Sequence, residues 1–207
     1  MKPIQFIFTI SHFLGLARCE MQAFVVHGKN AKISAFPHSA FLSISCKLKK
    51  DTDAEVCICG SSIINQHMIL TAGHCLSGCA GSLSLTASVG SEDIYNGISH
   101  SVQSYVVHEK YNDVKVTHDI ALGKLKTPLK FNSHVKRVVL MKHPPYHDEA
   151  IAAGWGLIDE LKGKMTRKLK FTKQYVARKS DCVRVFRDIP KETLCASNKD
   201  KSSYMSQ

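Results

Sequence analysis

The sequence contains two short stretches that decide its fold, Thr71-Ala72-Gly73-His74-Cys75 and His118-Asp119-Ile120-Ala121-Leu122. Each follows an apolar run that is typical of a strand. A histidine at the end of a strand, with its neighbouring cysteine held in a disulfide, would have the fixed ring that a general base needs. An aspartate that begins an apolar run is expected to be partly buried, where it can fix the tautomer of an imidazole. The two stretches therefore predict a catalytic pair, His74 and Asp119.

Each residue alone also has a purely structural interpretation. A single histidine is usually a surface residue or a satisfied core residue, and an aspartate before a strand is usually a cap or turn residue. A specified five-residue word, however, has a chance of about 10⁻⁴ of arising in a chain of this length at average residue usage. The two words together make the structural interpretation much weaker.

Short apolar runs separated by turn residues dominate the chain after residue 25. Residues 41–45 (FLSIS) alternate apolar and polar side chains, and further runs follow at residues 63–64, 68–70 and 105–107. Helical periodicity is scarce, so the pattern predicts an all-β barrel or sandwich. Turn character at residues 127–133 suggests a boundary near residue 130.

The charge and length of the chain limit its class. With 207 residues the chain can bury a substantial core, and no apolar run is long enough to span a bilayer. The formal net charge is +11, and residues 161–207 carry 13 Lys/Arg against 4 Asp/Glu. Such a region can attract nucleic acid, heparin-like polymers or an anionic membrane, but no base-stacking aromatic pattern accompanies it. We expect a solvated basic face and no nucleic-acid partner.

The N-terminus and the cysteines indicate an oxidising compartment. Lys2 is followed by a largely apolar stretch, residues 4–17, which predicts a signal peptide over residues 1–19. The alternative is a first core strand. Eight cysteines also favour a secreted protein, and their spacing lacks the paired pattern of structural zinc sites. We expect neither a metal nor a cofactor.

Several words together resemble the trypsin/chymotrypsin family of serine proteases. Besides the two stretches above, they are VVHGKNA (25–31), CGSSII (59–64), AGWG (153–156) and LCA (194–196). They occur in the family's order, and the match covers residues 25 to about 200.

The resemblance implies two antiparallel six-stranded Greek-key β-barrels. The first would span about residues 25–130 and the second, incomplete, about 131–207, after a short pro-segment at residues 20–24. It implies His74 as general base, Asp119 as its orienting partner, and Trp155 as a packing residue between the barrels. It also implies two disulfides, Cys59 with Cys75 and Cys182 with Cys195. The pairing of Cys46, Cys57 and Cys79 stays open, and Cys19 falls in the signal or pro-segment.

The sequence departs from the family pattern after Cys195. The family places a Gly-Asp-Ser-Gly-Gly word shortly after this cysteine, whereas here residues 196–207 read ASNKDKSSYMSQ. No serine in this stretch has a glycine neighbour, so the tight turn that exposes a nucleophile is not encoded. Smaller departures are Phe24 at the family's activation cut, His27 and Ser61 in place of glycines, and Gly123 in place of a bulky residue. We therefore expect a C-terminally truncated member that is inactive as given.

The function that the resemblance implies is that of a secreted serine endopeptidase. It would act on protein or peptide substrates as a monomer. The alternative is a non-catalytic homologue that binds a partner, because fold does not fix function. A basic module for anionic polymers is a third hypothesis.

Overall fold

The computed structural model describes residues 28–47, 55–79, 81–159, 164–183, 189–190 and 193–197. The predicted signal peptide and pro-segment, residues 1–24, lie outside these ranges, as does Cys19. The described strands are β1 (Lys29–Asn30), β2 (Ser39–Lys47), β3 (Glu55–Ile63), β4 (Met68–Thr71), β5 (Ser82–Val89), β6 (Ile98–Val107), β7 (Ala121–Leu125), β8 (Glu149–Gly154), β9 (Leu157–Asp159), β10 (Lys164–Met165), β11 (Lys170–Ala177) and β12 (Cys195–Ser197). The described helices are α1 (His74–Ser77), α2 (Lys179–Cys182) and a 3-10 turn (Ile33–Ala35).

Six strands of the first half close into a barrel. Their order is β2-β3-β4-β7-β6-β5, and every neighbouring pair is antiparallel. In β2 the alternation predicted from the sequence is present, because Leu42 and Ile44 are buried while Ser43 and Ser45 are partly exposed. The predicted all-β class is confirmed.

Gly123 fits this barrel for a steric reason. It lies opposite Ile69 in the β4–β7 pairing, and a Cβ atom at position 123 would come within 3.0 Å of the Ile69 side chain. Ile69 is fully buried and occupies the space that a larger residue at position 123 would need. A side chain at position 123 would therefore collide with Ile69 in this barrel.

The second half is built around β11. Strand β8 pairs with one edge of β11, and β1 and β12 pair with its other edge, while β9 and β10 form a separate antiparallel pair. Over the described ranges this half is an open sheet, and a second closed barrel is not formed. No helix among the described residues has the length and apolar character needed to cross a membrane.

Trp155 joins the two halves. Its indole is buried against Phe41 of β2 in an edge-on arrangement, with ring centroids 5.8 Å apart. Its Nε1–H donates to the backbone oxygen of Glu92 at 2.8 Å, and Ala31, Ile33 and Leu169 complete the cluster. The interpretation of Trp155 as a packing residue between the halves is confirmed.

Asp93, in the β5–β6 loop, forms a second connection between the halves. Its buried carboxylate accepts hydrogen bonds from Arg167 Nε at 3.0 Å and from Arg167 Nη2, and Lys168 Nζ lies 3.1 Å away. The Tyr95 backbone N–H donates to its other oxygen at 3.2 Å. Two cations of the basic region are thus paired with a buried acid, and Lys173 pairs with Glu149 at 2.7 Å. The expected solvated basic face is only partly solvated.

These contacts predict an acid-sensitive contribution to stability. The Arg167 hydrogen bonds hold the pKa of Asp93 well below its usual range. A lowered pKa means that Asp93 stabilises the fold above the ordinary carboxyl pKa of about 4 and loses that contribution as the pH falls through the lowered value. Asp93→Asn should lower the Tm by several degrees at pH 7 and by less as the pH falls below 4. Glu149→Gln, at an exposed pair, is the control and should change the Tm little at any pH. An equal loss of Tm for Asp93→Asn at pH 3 and pH 7 would contradict the assignment.

Candidate active site

His74 is the first residue of α1, and only Ala72 and Gly73 separate it from the barrel strand β4. The following residue, Cys75, forms a disulfide with Cys59 of β3, and their Cα atoms are 6.4 Å apart. Both cysteines are buried in the barrel core. The start of α1 is thereby attached covalently to the neighbouring strand, so the backbone at His74 has little freedom to move.

Asp119 lies near the end of the long loop between β6 and β7, residues 108–120. Asn112 and Thr117 exchange backbone hydrogen bonds of 3.1 and 3.2 Å across this loop, and the Ile120 N–H donates to the His118 oxygen at 2.8 Å. Val116 and His118 adopt positive φ angles of 48° and 53°, which are unfavourable for residues with a Cβ atom, most of all for a β-branched one. Such strain persists only where surrounding contacts hold the chain, and here it places the Asp119 carboxylate towards α1.

The His74 and Asp119 side chains meet at hydrogen-bond distance. His74 Nδ1 lies 2.6 Å from Asp119 Oδ2, and the His74 backbone N–H donates to Oδ1 at 2.7 Å. Since a carboxylate only accepts, this geometry requires the proton on Nδ1 and leaves Nε2 as the basic atom. The arrangement can take up a proton at Nε2 and stabilise the resulting imidazolium, as a general base must.

Ser197 is the described serine nearest the chain end, and it does not supply a nucleophile to this pair. Ser197 belongs to β12 and is paired with Tyr175 of β11, so it lies in a strand and not in an exposed tight turn. Ser202, Ser203 and Ser206 lie outside the described residues.

The cysteines around His74 are not suited to bind a metal. Potential ligand atoms of Cys59, His74 and Cys75 lie within 4.8 Å of one another. The two sulfur atoms are bonded to each other, however, and a disulfide offers no thiolate ligand.

The other described disulfides hold the ends of both halves. Cys46 at the end of β2 is bonded to Cys79, with Cα atoms 5.6 Å apart, which settles one pairing that the sequence left open. Cys57 is also disulfide-bonded, so its alternatives of pairing with Cys46 or Cys79 are excluded. Cys182 of α2 is bonded to Cys195 of β12.

A cleft of about 990 Å³ opens beside Asp119, between the barrel and strand β8. Three histidines that sequence reasoning did not single out, His38, His108 and His118, line it. His108 and His118 stack with ring centroids 4.9 Å apart, and burial lowers the pKa of His38. The position of His118 immediately before Asp119 is the one sequence feature that could have indicated its place in the cleft. The stacking of His108 and His118 could not be predicted from the sequence, because the two rings meet only when the ends of the β6–β7 loop come together.

A protein-family model and several known proteins match this chain. The trypsin family model matches residues 25–206. Trypsin delta of Drosophila melanogaster is 28% identical over 159 residues, which are 76% of this chain and 59% of the relative. Hypodermin-A of Hypoderma lineatum is 34% identical over 134 residues, which are 64% of this chain and 48% of the relative. The chain therefore spans about half to three fifths of the length of these relatives.

Solved structures show the same fold. The inactivated scabies mite protease paralogue S-D1 superposes with a TM-score of 0.72 at 18% identity, over 88% of this chain and 81% of that one. A structure named HL collagenase superposes with a TM-score of 0.70 at 23% identity, over 84% of this chain and 74% of that one. At these identities the likeness extends to the fold alone.

Proposed function

Since the chain belongs to the trypsin family of serine proteases, we propose that it carries the general-base half of a secreted serine endopeptidase. The observation that supports this most directly is the His74 Nδ1 to Asp119 Oδ2 hydrogen bond of 2.6 Å. A second bond from the His74 backbone to the same carboxylate makes the pair rigid. His74 is the proposed general base and Asp119 the residue that orients it.

The proposed reaction is acyl transfer from a peptide bond to a serine. As the serine Oγ attacks the carbonyl carbon, its proton passes to His74 Nε2, and the same proton is then given to the leaving amine. Water hydrolyses the acyl-enzyme in a second, equivalent cycle. Asp119 stays ionised throughout and stabilises the imidazolium. In this proposal the serine and the oxyanion donors come from polypeptide outside the 207 residues.

The proposed location is extracellular, and the proposed substrates are proteins or peptides cleaved by a monomer. Three described disulfides support an oxidising compartment. The family's members act on peptide bonds, which agrees with the chemistry that a rigid His–Asp pair can perform.

A second candidate is a non-catalytic homologue that binds a partner. It is favoured by the position of Ser197, which lies in strand β12 and not in an exposed turn. One of the proteins with the same fold is itself named an inactivated protease paralogue.

Transcript sequencing and active-site labelling separate the two candidates. Sequencing the transcript beyond the codon for Gln207 should reveal a Gly-Asp-Ser-Gly word if the endopeptidase proposal is right. The corresponding longer protein should then react with a fluorophosphonate, and His74→Ala should abolish the labelling. The 207-residue chain should stay unlabelled. A stop after Gln207 in every transcript would favour the binding homologue, and labelling of the 207-residue chain would contradict the absence of a nucleophile.

A further inference from the structure

Tyr111 lies in the loop between β6 and β7, eight residues before Asp119. Its backbone N–H donates to the His108 oxygen at 2.9 Å, so a turn at the start of the loop fixes the position from which its side chain extends. The residue is only partly exposed. Tyr111 is therefore held against the protein, although the proposed acyl transfer does not use it.

The Tyr111 ring packs against the residue that precedes His74. Gly73 has no Cβ atom, and an atom at that position would lie 3.2 Å from Tyr111 Cδ2 and 3.3 Å from Asp119 Oδ1. It would also lie 3.1 Å from a methyl group of Val107, the last residue of β6. The aromatic ring and the carboxylate thus share one small space beside Gly73, and a larger residue would take that space from them.

The hydroxyl group of Tyr111 reaches the other end of the helix that begins with His74. The side chain of Ser77, the last residue of α1, is hydrogen-bonded to this hydroxyl. Burial raises the pKa of Tyr111, and the negative charge of Asp119 raises it further. The hydroxyl is therefore neutral at physiological pH, and Tyr111 places no charge beside the carboxylate.

We propose that Tyr111 is a positioning residue for the His74–Asp119 pair and that Gly73 provides the space for its ring. This inference rests on the proposed general-base role of His74. One side chain contacts both α1, which carries the base, and the space beside the carboxylate, so it holds helix and loop at a fixed separation. Such placement matters, since a displacement of about 1 Å can cost about 100-fold in rate. The contacts lie between α1, β6 and the loop that follows β6, within the first half of the chain.

Proton exchange at the His74 ring tests this proposal in the 207-residue chain. The Nδ1 proton is protected by the 2.6 Å hydrogen bond to Asp119 and can be followed by NMR of protein with isotope-labelled histidine. Tyr111→Ala should speed its exchange with water about tenfold or more, because helix and loop can then separate locally. Tyr111→Phe keeps the ring and should stay within about threefold of the original rate. Tyr105→Ala, at an exposed tyrosine of β6, is the matched control and should leave the rate unchanged.

Gly73→Ala perturbs the same ring by a different route. The added methyl group should displace Tyr111 and Asp119 and speed the exchange. In the Tyr111→Ala background it should speed the exchange less than it does alone, because the ring no longer competes for the space. An unchanged rate in Tyr111→Ala, or a rate in Tyr111→Phe as fast as in Tyr111→Ala, would overturn the proposal. An increase no larger than the measured loss of global unfolding free energy explains would also overturn it, since Tyr111 would then be a structural residue only.

Kinetics separate this proposal from the proposed function. In the longer, serine-containing protein, Tyr111→Ala should lower kcat about 10- to 100-fold and change KM little. If that protein hydrolyses peptides and Tyr111→Ala leaves its kcat unchanged, the positioning role is wrong and the peptidase proposal stands. If the longer protein is inactive while the exchange rates follow the expected pattern, the peptidase proposal is wrong and the positioning of His74 by Tyr111 stands.

Discussion

Asp119→Asn should lower kcat about 10⁴-fold in the longer, serine-containing protein of the endopeptidase proposal. The amide would present an N–H₂ or a neutral oxygen to His74 Nδ1 in place of the carboxylate that now lies 2.6 Å away. The imidazole would then lose the preference for a proton on Nδ1, and the imidazolium formed in the transition state would lose its counter-charge. Steady-state hydrolysis of a peptide ester or amide measures this, with KM expected to change much less than kcat.

Two further variants complete this prediction. Asp113→Asn changes an exposed carboxylate of the same loop, whose side chain caps the neighbouring Val114 N–H, and should leave kcat within a few-fold of the original. The kcat of the double variant His74→Ala, Asp119→Asn should lie within a few-fold of the kcat of His74→Ala alone, because the two residues act as a unit. Additive losses would show that Asp119 does not act through His74.

Trp155→Ala should lower the free energy of unfolding by about 3–5 kcal/mol. The indole is buried between the barrel and the second sheet, so its removal leaves a cavity bordered by Phe41 and Leu169. Urea unfolding followed by circular dichroism measures the loss. A value under 1 kcal/mol would mean that the two halves do not depend on this contact.

Trp155→Phe is the matched control for the ring itself. It keeps an aromatic side chain but removes the Nε1–H donor, at a cost of about 1 kcal/mol. The Glu92 oxygen keeps one partner in this variant, because it also accepts a hydrogen bond from the Leu169 N–H at 2.7 Å. A loss as large as that of the alanine variant would instead place most of the effect in the hydrogen bond.

Much of the candidate site could be predicted from short, local sequence patterns. The words around His74 and Asp119 are continuous in the chain, and each combines a polar residue with an adjoining strand. The alternation in β2 likewise follows from the two-residue period of a strand, which any sequence window can show. The catalytic residue types and the adjoining strands could both be predicted at these positions, because both depend on residues that are neighbours in the sequence.

Contacts between distant residues could not be read in this way. The pairing of Cys46 with Cys79 depends on where β2 ends relative to the segment after α1. The ion pairs of Arg167 and Lys168 with Asp93 join residues of different halves. They neutralise part of the positive charge that composition alone assigns to the basic region. The stacking of His108 on His118 depends on how the two ends of the β6–β7 loop come together.

The sequence by itself determined the family, the all-β class and the identity of the histidine and aspartate, because these are properties of short words and of strand periodicity. Only the tertiary structure decided that His74 Nδ1 and Asp119 Oδ2 lie 2.6 Å apart. It also decided that Cys46 pairs with Cys79 and that Arg167 and Lys168 pair with Asp93. The physical reason is that hydrogen bonds, disulfides and ion pairs depend on distances of a few ångströms, and barrel closure sets those distances between residues that are far apart in the chain.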